Sequence, residues 1–239
     1  MHPYVLSLKK LYEQNANPMQ AVAMKKYMRD QFEYLGIKSP LFKSLMKEFI
    51  ATYGTPPLYE LDVILRDLWA LPQREFQYAA NGLLSRSEND LPAEFIGTIE
   101  YMIVMKSWWD TVDTISGGPL GVHFQRFPTV KEKYLARWRA SDNFWLRRAT
   151  ILFQLNYKKE TDFPLLCEII CENLNSKEFF INKAIGWALR QYTRIDPEGV
   201  RQFVAETPLQ PLSAREAVKW LEKRAAKAAK AEEGEPDSA

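Results

Sequence analysis

Histidine and cysteine are nearly absent: His2 and His123 are the only histidines, Cys167 and Cys171 the only cysteines. So small a stock offers no convincing ligand set for zinc, and neither a metal nor a cofactor is expected. The two cysteines stand four apart on one apparent helix, which reads as two reduced thiols packed as small apolar groups in a cytoplasmic setting. Long hydrophobic runs are missing as well. None approaches the roughly 20 residues that cross a bilayer, and the start, Met1-His2-Pro3-Tyr4-Val5-Leu6, soon meets Lys9-Lys10 and does not read as a signal peptide. No membrane partner is expected. Charge of one sign is lacking too, with 32 basic against 30 acidic residues. A basic face for nucleic acid has to come from placement rather than excess. The one Gly-rich stretch, Ser116-Gly117-Gly118-Pro119, lacks the Gly-Lys-Ser/Thr ending of a phosphate loop.

What the chain does have is helix punctuation. Asn17-Pro18, Ser39-Pro40 and Asp196-Pro197 each set a capping side chain before a proline suited to the first helical turn. Ser213-Ala214-Arg215-Glu216 has the form of a capping box. Between such signals run amphipathic stretches of about 12 to 17 residues, ordinary helix lengths. Trp145, Ala149, Leu152 and Leu155, for example, fall on one stripe. No series of alternating strands is present, and 46% apolar residues over 239 positions are ample for a core. One domain is expected over residues 1–225, with 226–239 as a charged, flexible tail.

An internal repeat organises these helices. Lys106–Ile115, Ser141–Thr150 and Ser176–Ile185 align at offsets of 35 residues, which places Trp109, Phe144 and Phe179 in one register and Asp113, Arg148 and Lys183 in another. The segment Arg74–Ala80 resembles the second unit at nearly twice that offset. A period near 35 with two helices per unit predicts a helical solenoid, because one helix pair cannot bury its apolar face alone. Asp113, Arg148 and Lys183 are then expected to form a row of charge along one face.

The segment Lys106-Ser107-Trp108-Trp109-Asp110-Thr111-Val112-Asp113 bears on chemistry. Ser107 and Asp110 suit a helix start, and Trp109 and Asp113, four apart, share a face. Taken alone, such a segment reads as aromatic core beside a solvated charge. With the other repeats it gains two cations in Asp113's register, then Trp187 one turn beyond Lys183 and Arg190 further on. Indoles, an acid and three cations on one face suit a phosphate backbone and a cationic ligand. A solvated basic face is the alternative, and the residues alone leave both open.

These segments, together with Ala140–Asn143, Leu146–Ala149, Ser176–Ile181 and Lys183–Trp187, resemble the signature regions of AlkD-type DNA glycosylases. The resemblance also takes in Tyr27, Phe32–Ile37, Arg74–Gln77 and Pro211–Ser213, and reaches to about residue 225. It implies an all-α, right-handed superhelix of HEAT-like repeats whose concave face holds duplex DNA. It implies, too, hydrolysis of the N-glycosidic bond of N3- and N7-alkylated purines without base flipping. By matching motifs, Trp109, Asp113 and Trp187 would be catalytic, Arg148 would hold a phosphate, and Tyr27, Lys183 and Arg190 would contribute to the DNA surface. No catalytic lysine is implied, hence no strand cleavage, and a monomer is expected. Lys38-Ser39, Asn156 and the Ser116–Pro119 break depart from the family pattern. Two rival readings stand beside this one: a solenoid scaffold for a protein partner, and a non-catalytic binder of DNA lesions.

Overall fold

Helices begin at regular intervals. One series starts at Ser39, Arg74, Trp109, Phe144 and Phe179, each 35 residues after the last. A second starts at Leu58, Ala93, Pro128 and Phe163, again 35 apart, with Pro197 one residue early for the next step. The repeat legible in three segments therefore extends over most of the chain. The structure, a computed structural model, describes residues 1–232, with side chains as far as residue 222. The tail expected over 226–239 lies outside the described residues in its side chains throughout and in its backbone from residue 233.

Helix α1 spans Pro3–Gln14, α2 Pro18–Tyr27, α3 Ser39–Tyr53, α4 Leu58–Ala70 and α5 Arg74–Ser87. A short 3-10 turn, Ala93–Phe95, leads into α6, Ile96–Val104; α7 spans Trp109–Ile115, α8 Gly121–Arg126 and α9 Pro128–Arg139. Then come α10, Phe144–Leu152, α11, Phe163–Glu172, α12, Phe179–Tyr192, α13, Pro197–Glu206, and α14, Pro211–Glu232. The architecture is all-helical, a succession of helix pairs; among the described residues the sole β feature is an isolated bridge between Glu33 and Gln73. The chain sorts into two compact units, Met1–Val130 and Lys131–Ala239.

In the first unit, α4 buries Leu61, Leu65 and Leu68, one helical stripe, and α5 adds Phe76, Ala79, Ala80 and Leu83. Each fully buried leucine contributes on the order of 1.5–3 kcal/mol. Helix α2 is the exception, since it buries no residue. It is held at its ends instead. Asn17 caps it by accepting from the Gln20 amide, and the Asn17 amide donates to the Leu35 carbonyl at 2.8 Å. Gly36, at φ +89°, passes so close that a Cβ there would lie 2.0 Å from the Asn17 carbonyl oxygen. The Leu35–Ile37 turn is in turn pinned by Glu75, whose buried carboxylate accepts from the amides of Leu35, Gly36 and Ile37 at 3.0, 2.9 and 3.1 Å.

In the second unit, α11 buries Leu166, Ile169 and Ile170, and α12 buries Ile181, Ala184, Ile185, Ala188 and Leu189. Helices α12 and α14 approach closely at Gly186, where a Cβ would stand 2.4 Å from the Glu216 Cβ.

Three local expectations fail, each for a physical reason. Ser39 does not cap α3; it is the first helical residue, and Lys38 precedes it without a side-chain bond. Ser213 and Glu216 make no capping box, because α14 begins two residues earlier at Pro211. Ser213 Oγ donates instead to the Asn182 carbonyl at 2.9 Å, and Glu216 turns to cations of α12. Cys171 is exposed rather than packed, whereas half-buried Cys167 has its thiol pushed up to about 12 by burial. The caps at Asn17 and Asp196 form as expected. So does the break after α7, where Ser116–Leu120 takes a π-type turn and Gly118 leaves helical backbone at φ −111°, ψ −105°.

Candidate nucleic-acid interface and catalytic residues

In the first unit, the start of α7 is fixed from α5. Arg74, fully buried, grips Asp110 with two parallel bonds: Nε to Oδ2 at 3.0 Å and a terminal nitrogen to Oδ1 at 2.6 Å. The same guanidinium donates to the Lys106 carbonyl at 2.9 Å and Thr111 Oγ1 at 2.9 Å, and lies 3.8 Å over the Phe32 ring. Tyr78, one turn along α5, donates to Asp110 Oδ2 at 2.7 Å. Its proton thus committed, it accepts from Tyr34 across 3.0 Å. Burial, then the Asp110 carboxylate, push the Tyr78 hydroxyl far above tyrosine's ordinary value, so it remains a donor. Asp110 also accepts from the Thr111 amide at 2.9 Å, its negative charge near the positive end of the helix.

That network orients the residues on either side of Asp110. Trp109 is the first residue of α7 and Asp113 lies one turn on, both half-buried. The exposed Tyr27 ring meets the Trp109 ring edge-on, 6.4 Å between centroids at 74°. A groove of about 270 Å³ runs here past Met24, Tyr27, Tyr34, Lys38, Trp109 and Asp110. A second of about 470 Å³, lined by Phe42, Lys43, Asn81 and Thr114, shares Met24, Tyr78 and Asp110 with it. Ser107, expected to help start α7, donates instead to the Ile103 carbonyl and closes α6. Lys106, at φ +50°, sends its ammonium back to the carbonyls of Ala70 and Leu71 that end α4, and burial lowers its pKa.

In the second unit, Lys183, Trp187 and Arg190 share a face of α12, and the half-buried indole lies between the two cations in sequence. Glu216 of α14 pairs with both, at 3.2 Å to Lys183 and 2.6 Å to Arg190, and with Lys219 of its own helix. Hydrogen bonding from these cations holds the Glu216 carboxyl down at about 2. Arg148, in α10, is buried at 3% exposure and donates to the Phe180 carbonyl at the start of α12.

The structure thus brings Tyr27 to Trp109 with Asp113 a turn away, and Lys183 and Arg190 to one carboxylate with Trp187 between them in sequence. Sequence reasoning missed Arg74, Tyr78 and Asp110 as a joint network, and Glu216 and Lys219 as partners of the α12 cations. The 35-residue register held the signal: Arg74 and Trp109 both open a helix, and Arg74 meets a carboxylate one residue after that next start. Among the described residues no group of three His, Cys, Asp or Glu is placed to hold a metal ion, and no helix is long and apolar enough to cross a membrane.

Comparison with known proteins follows the same lines. No curated protein matches. A solved structure, described as a predicted DNA alkylation repair enzyme from Enterococcus faecalis, is similar with a TM-score of 0.80 at 33% identity, covering 87% of this chain and 97% of that one. The family model for DNA alkylation repair enzymes matches residues 8–221. With its two-helix repeats and a match running from α1 into α14, the chain belongs to the DNA alkylation repair enzyme family.

Proposed function

We propose that this protein is a DNA glycosylase that hydrolyses the N-glycosidic bond of N3- and N7-alkylated purines in duplex DNA, such as 3-methyladenine and 7-methylguanine. The observation that carries the reading is on α7. A half-buried indole and a half-buried carboxylate sit one turn apart, with an exposed tyrosine edge-on to the indole and a groove alongside. The other carboxylate of that helix, Asp110, is engaged by Arg74 and Tyr78 in a structural role, and the chemistry is assigned to Asp113.

A purine alkylated at N3 or N7 is already cationic, so it departs without a protein acid, and the sugar becomes oxocarbenium-like as the bond breaks. Asp113 stabilises that charge and orients the attacking water. At 4 Å and an effective dielectric of 20, opposite unit charges attract by about 4 kcal/mol. Realised mostly in the transition state, that is on the order of a thousandfold in rate. Trp109 offers its ring face to that cation, and Trp187 is proposed to act catalytically as well. Tyr27, Lys183 and Arg190 contact DNA, and Arg148, buried and bonded to the Phe180 carbonyl, supports the start of α12 from beneath. On this reading the base is not swallowed into a pocket, and no lyase step follows.

The test is release of free 7-methylguanine from methylated duplex by wild type and Asp113→Asn. Wild type is expected to release it, and the variant to lose about a thousandfold while still binding duplex. Salt-dependent duplex binding without base release would make the protein a lesion binder, and no duplex affinity would make it a protein scaffold.

A further inference from the structure

Among the described residues of the second unit, Glu216 is the carboxylate with the most cationic partners. Its side chain is 5% exposed, yet three cations converge on it: Lys183 and Arg190 from α12 and Lys219 from α14, with side chains 38, 32 and 44% exposed. One buried anion under three partly exposed cations leaves the surface net positive. The donors outnumber what one carboxylate, with roughly four lone-pair sites, accepts. Surplus N–H groups on a rigidly held positive surface are what a phosphate oxygen seeks. The rigidity has a backbone cause. Gly186 lets α12 and α14 come within a distance that any side chain there would block, and Ser213 Oγ ties α14 to the Asn182 carbonyl. Glu216 is thereby set between Lys183 and Arg190, three residues before and four residues after Gly186 on α12.

We propose that Lys219, with Lys183 and Arg190, forms a preformed site for a backbone phosphate of duplex DNA, and that Glu216 is the positioning residue that aims the three cations. The proposal rests on the DNA-acting reading above and adds to it a phosphate contact from α14. Glu216 does this at the cost of one unit of local positive charge, which separates it from a simple neutraliser. A positioning anion strengthens phosphate binding although it is itself negative.

The experiment is fluorescence anisotropy of a labelled, unmodified duplex against salt, between about 50 and 200 mM, for wild type, Lys219→Ala, Glu216→Gln and Lys9→Ala. Lys9, paired with Glu13 on α1, controls for loss of one surface charge. Each phosphate contact contributes about 0.9 to the slope of log affinity against log salt. Lys219→Ala is expected to lower that slope by about one and weaken binding several-fold, with Lys9→Ala leaving the slope unchanged. Glu216→Gln, checked by circular dichroism to be folded, is expected to bind more weakly despite its added positive charge. Tighter binding by Glu216→Gln would overturn the positioning role. A wild-type slope in Lys219→Ala, or an equal loss in Lys9→Ala, would overturn the phosphate site and leave the glycosylase reading standing. No duplex binding by wild type would overturn both.

Discussion

Two carboxylates three residues apart on α7 ought to answer the same substitution in opposite ways. Asp110→Asn removes the charge that Arg74 grips while leaving the side-chain volume. Arg74 is fully buried and the Asp110 side chain only 9% exposed, so the guanidinium is left without a counter-charge in a low-dielectric site. Breaking such a pair by removing one partner costs about 3–5 kcal/mol. Here the low end applies. The guanidinium keeps the Lys106 carbonyl, Thr111 Oγ1 and the Phe32 ring face, and Tyr78 can still donate to the remaining amide oxygen. A loss of about 3 kcal/mol lowers the melting temperature of a chain this size by about 6–12 °C. Asp113→Asn is expected to melt much closer to wild type. The assay is circular dichroism at 222 nm against temperature, paired with base release well below the Asp110→Asn midpoint. There Asp110→Asn should retain most of its activity and Asp113→Asn almost none. If Asp110→Asn melts with wild type, the Arg74 joint is not what holds α7. If Asp113→Asn melts as low as Asp110→Asn, its loss of activity is a folding defect and the division of labour fails.

Other outcomes follow from single sites. Gly36→Ala should destabilise by at least about 2 kcal/mol in urea titration, because a Cβ at φ +89° would sit 2.0 Å from a backbone oxygen that has no room to retreat. The Glu216 carboxyl is depressed from 4.5 to about 2, so its stabilisation is full above pH 4.5 and is lost as pH falls toward 2. The stability gap between wild type and Glu216→Gln should therefore be constant from pH 5 to 7 and close on acidification, as read by urea titration at each pH. With Cys171 exposed and the Cys167 thiol pushed up to about 12, a thiol reagent at pH 8 should label one cysteine quickly and the other slowly. Cys171→Ser should abolish the fast phase.

The repeat and the helical class were legible because periodicity is local information. Trp109, Phe144 and Phe179 could be aligned by eye, and each does open a helix. Asn17-Pro18 and Asp196-Pro197 were legible for the same reason, since a cap is settled within four residues. What escaped was settled at a distance of about one repeat. Arg74 reads as an ordinary helix-start charge until Asp110, 36 residues on, supplies its partner. Ser213 and Glu216 have the spacing of a box, but Asn182 and the α12 cations outbid the α14 backbone for them. Ser39 lost its cap to the chain's entry through Lys38, which no residue-type rule distinguishes.

The register position four residues into each helix of the main series bears on the proposed chemistry. Lys43, Tyr78, Asp113, Arg148 and Lys183 occupy it in turn. Tyr78 donates to Asp110 and Arg148 to the Phe180 carbonyl, in both cases the second residue of the helix that opens the following repeat, 32 positions on. At these two positions the side chain is a staple between repeats, and a donor suits it because its partner is an acceptor. Asp113 is an acceptor in a slot otherwise filled by donors. An acceptor in this register is what the proposed stabilisation of a sugar cation calls for. Asp113→Lys, which puts a donor into the slot, should release no free 7-methylguanine from methylated duplex, and neither should Asp113→Ala. Base release by Asp113→Lys at the wild-type rate would detach this register from the chemistry.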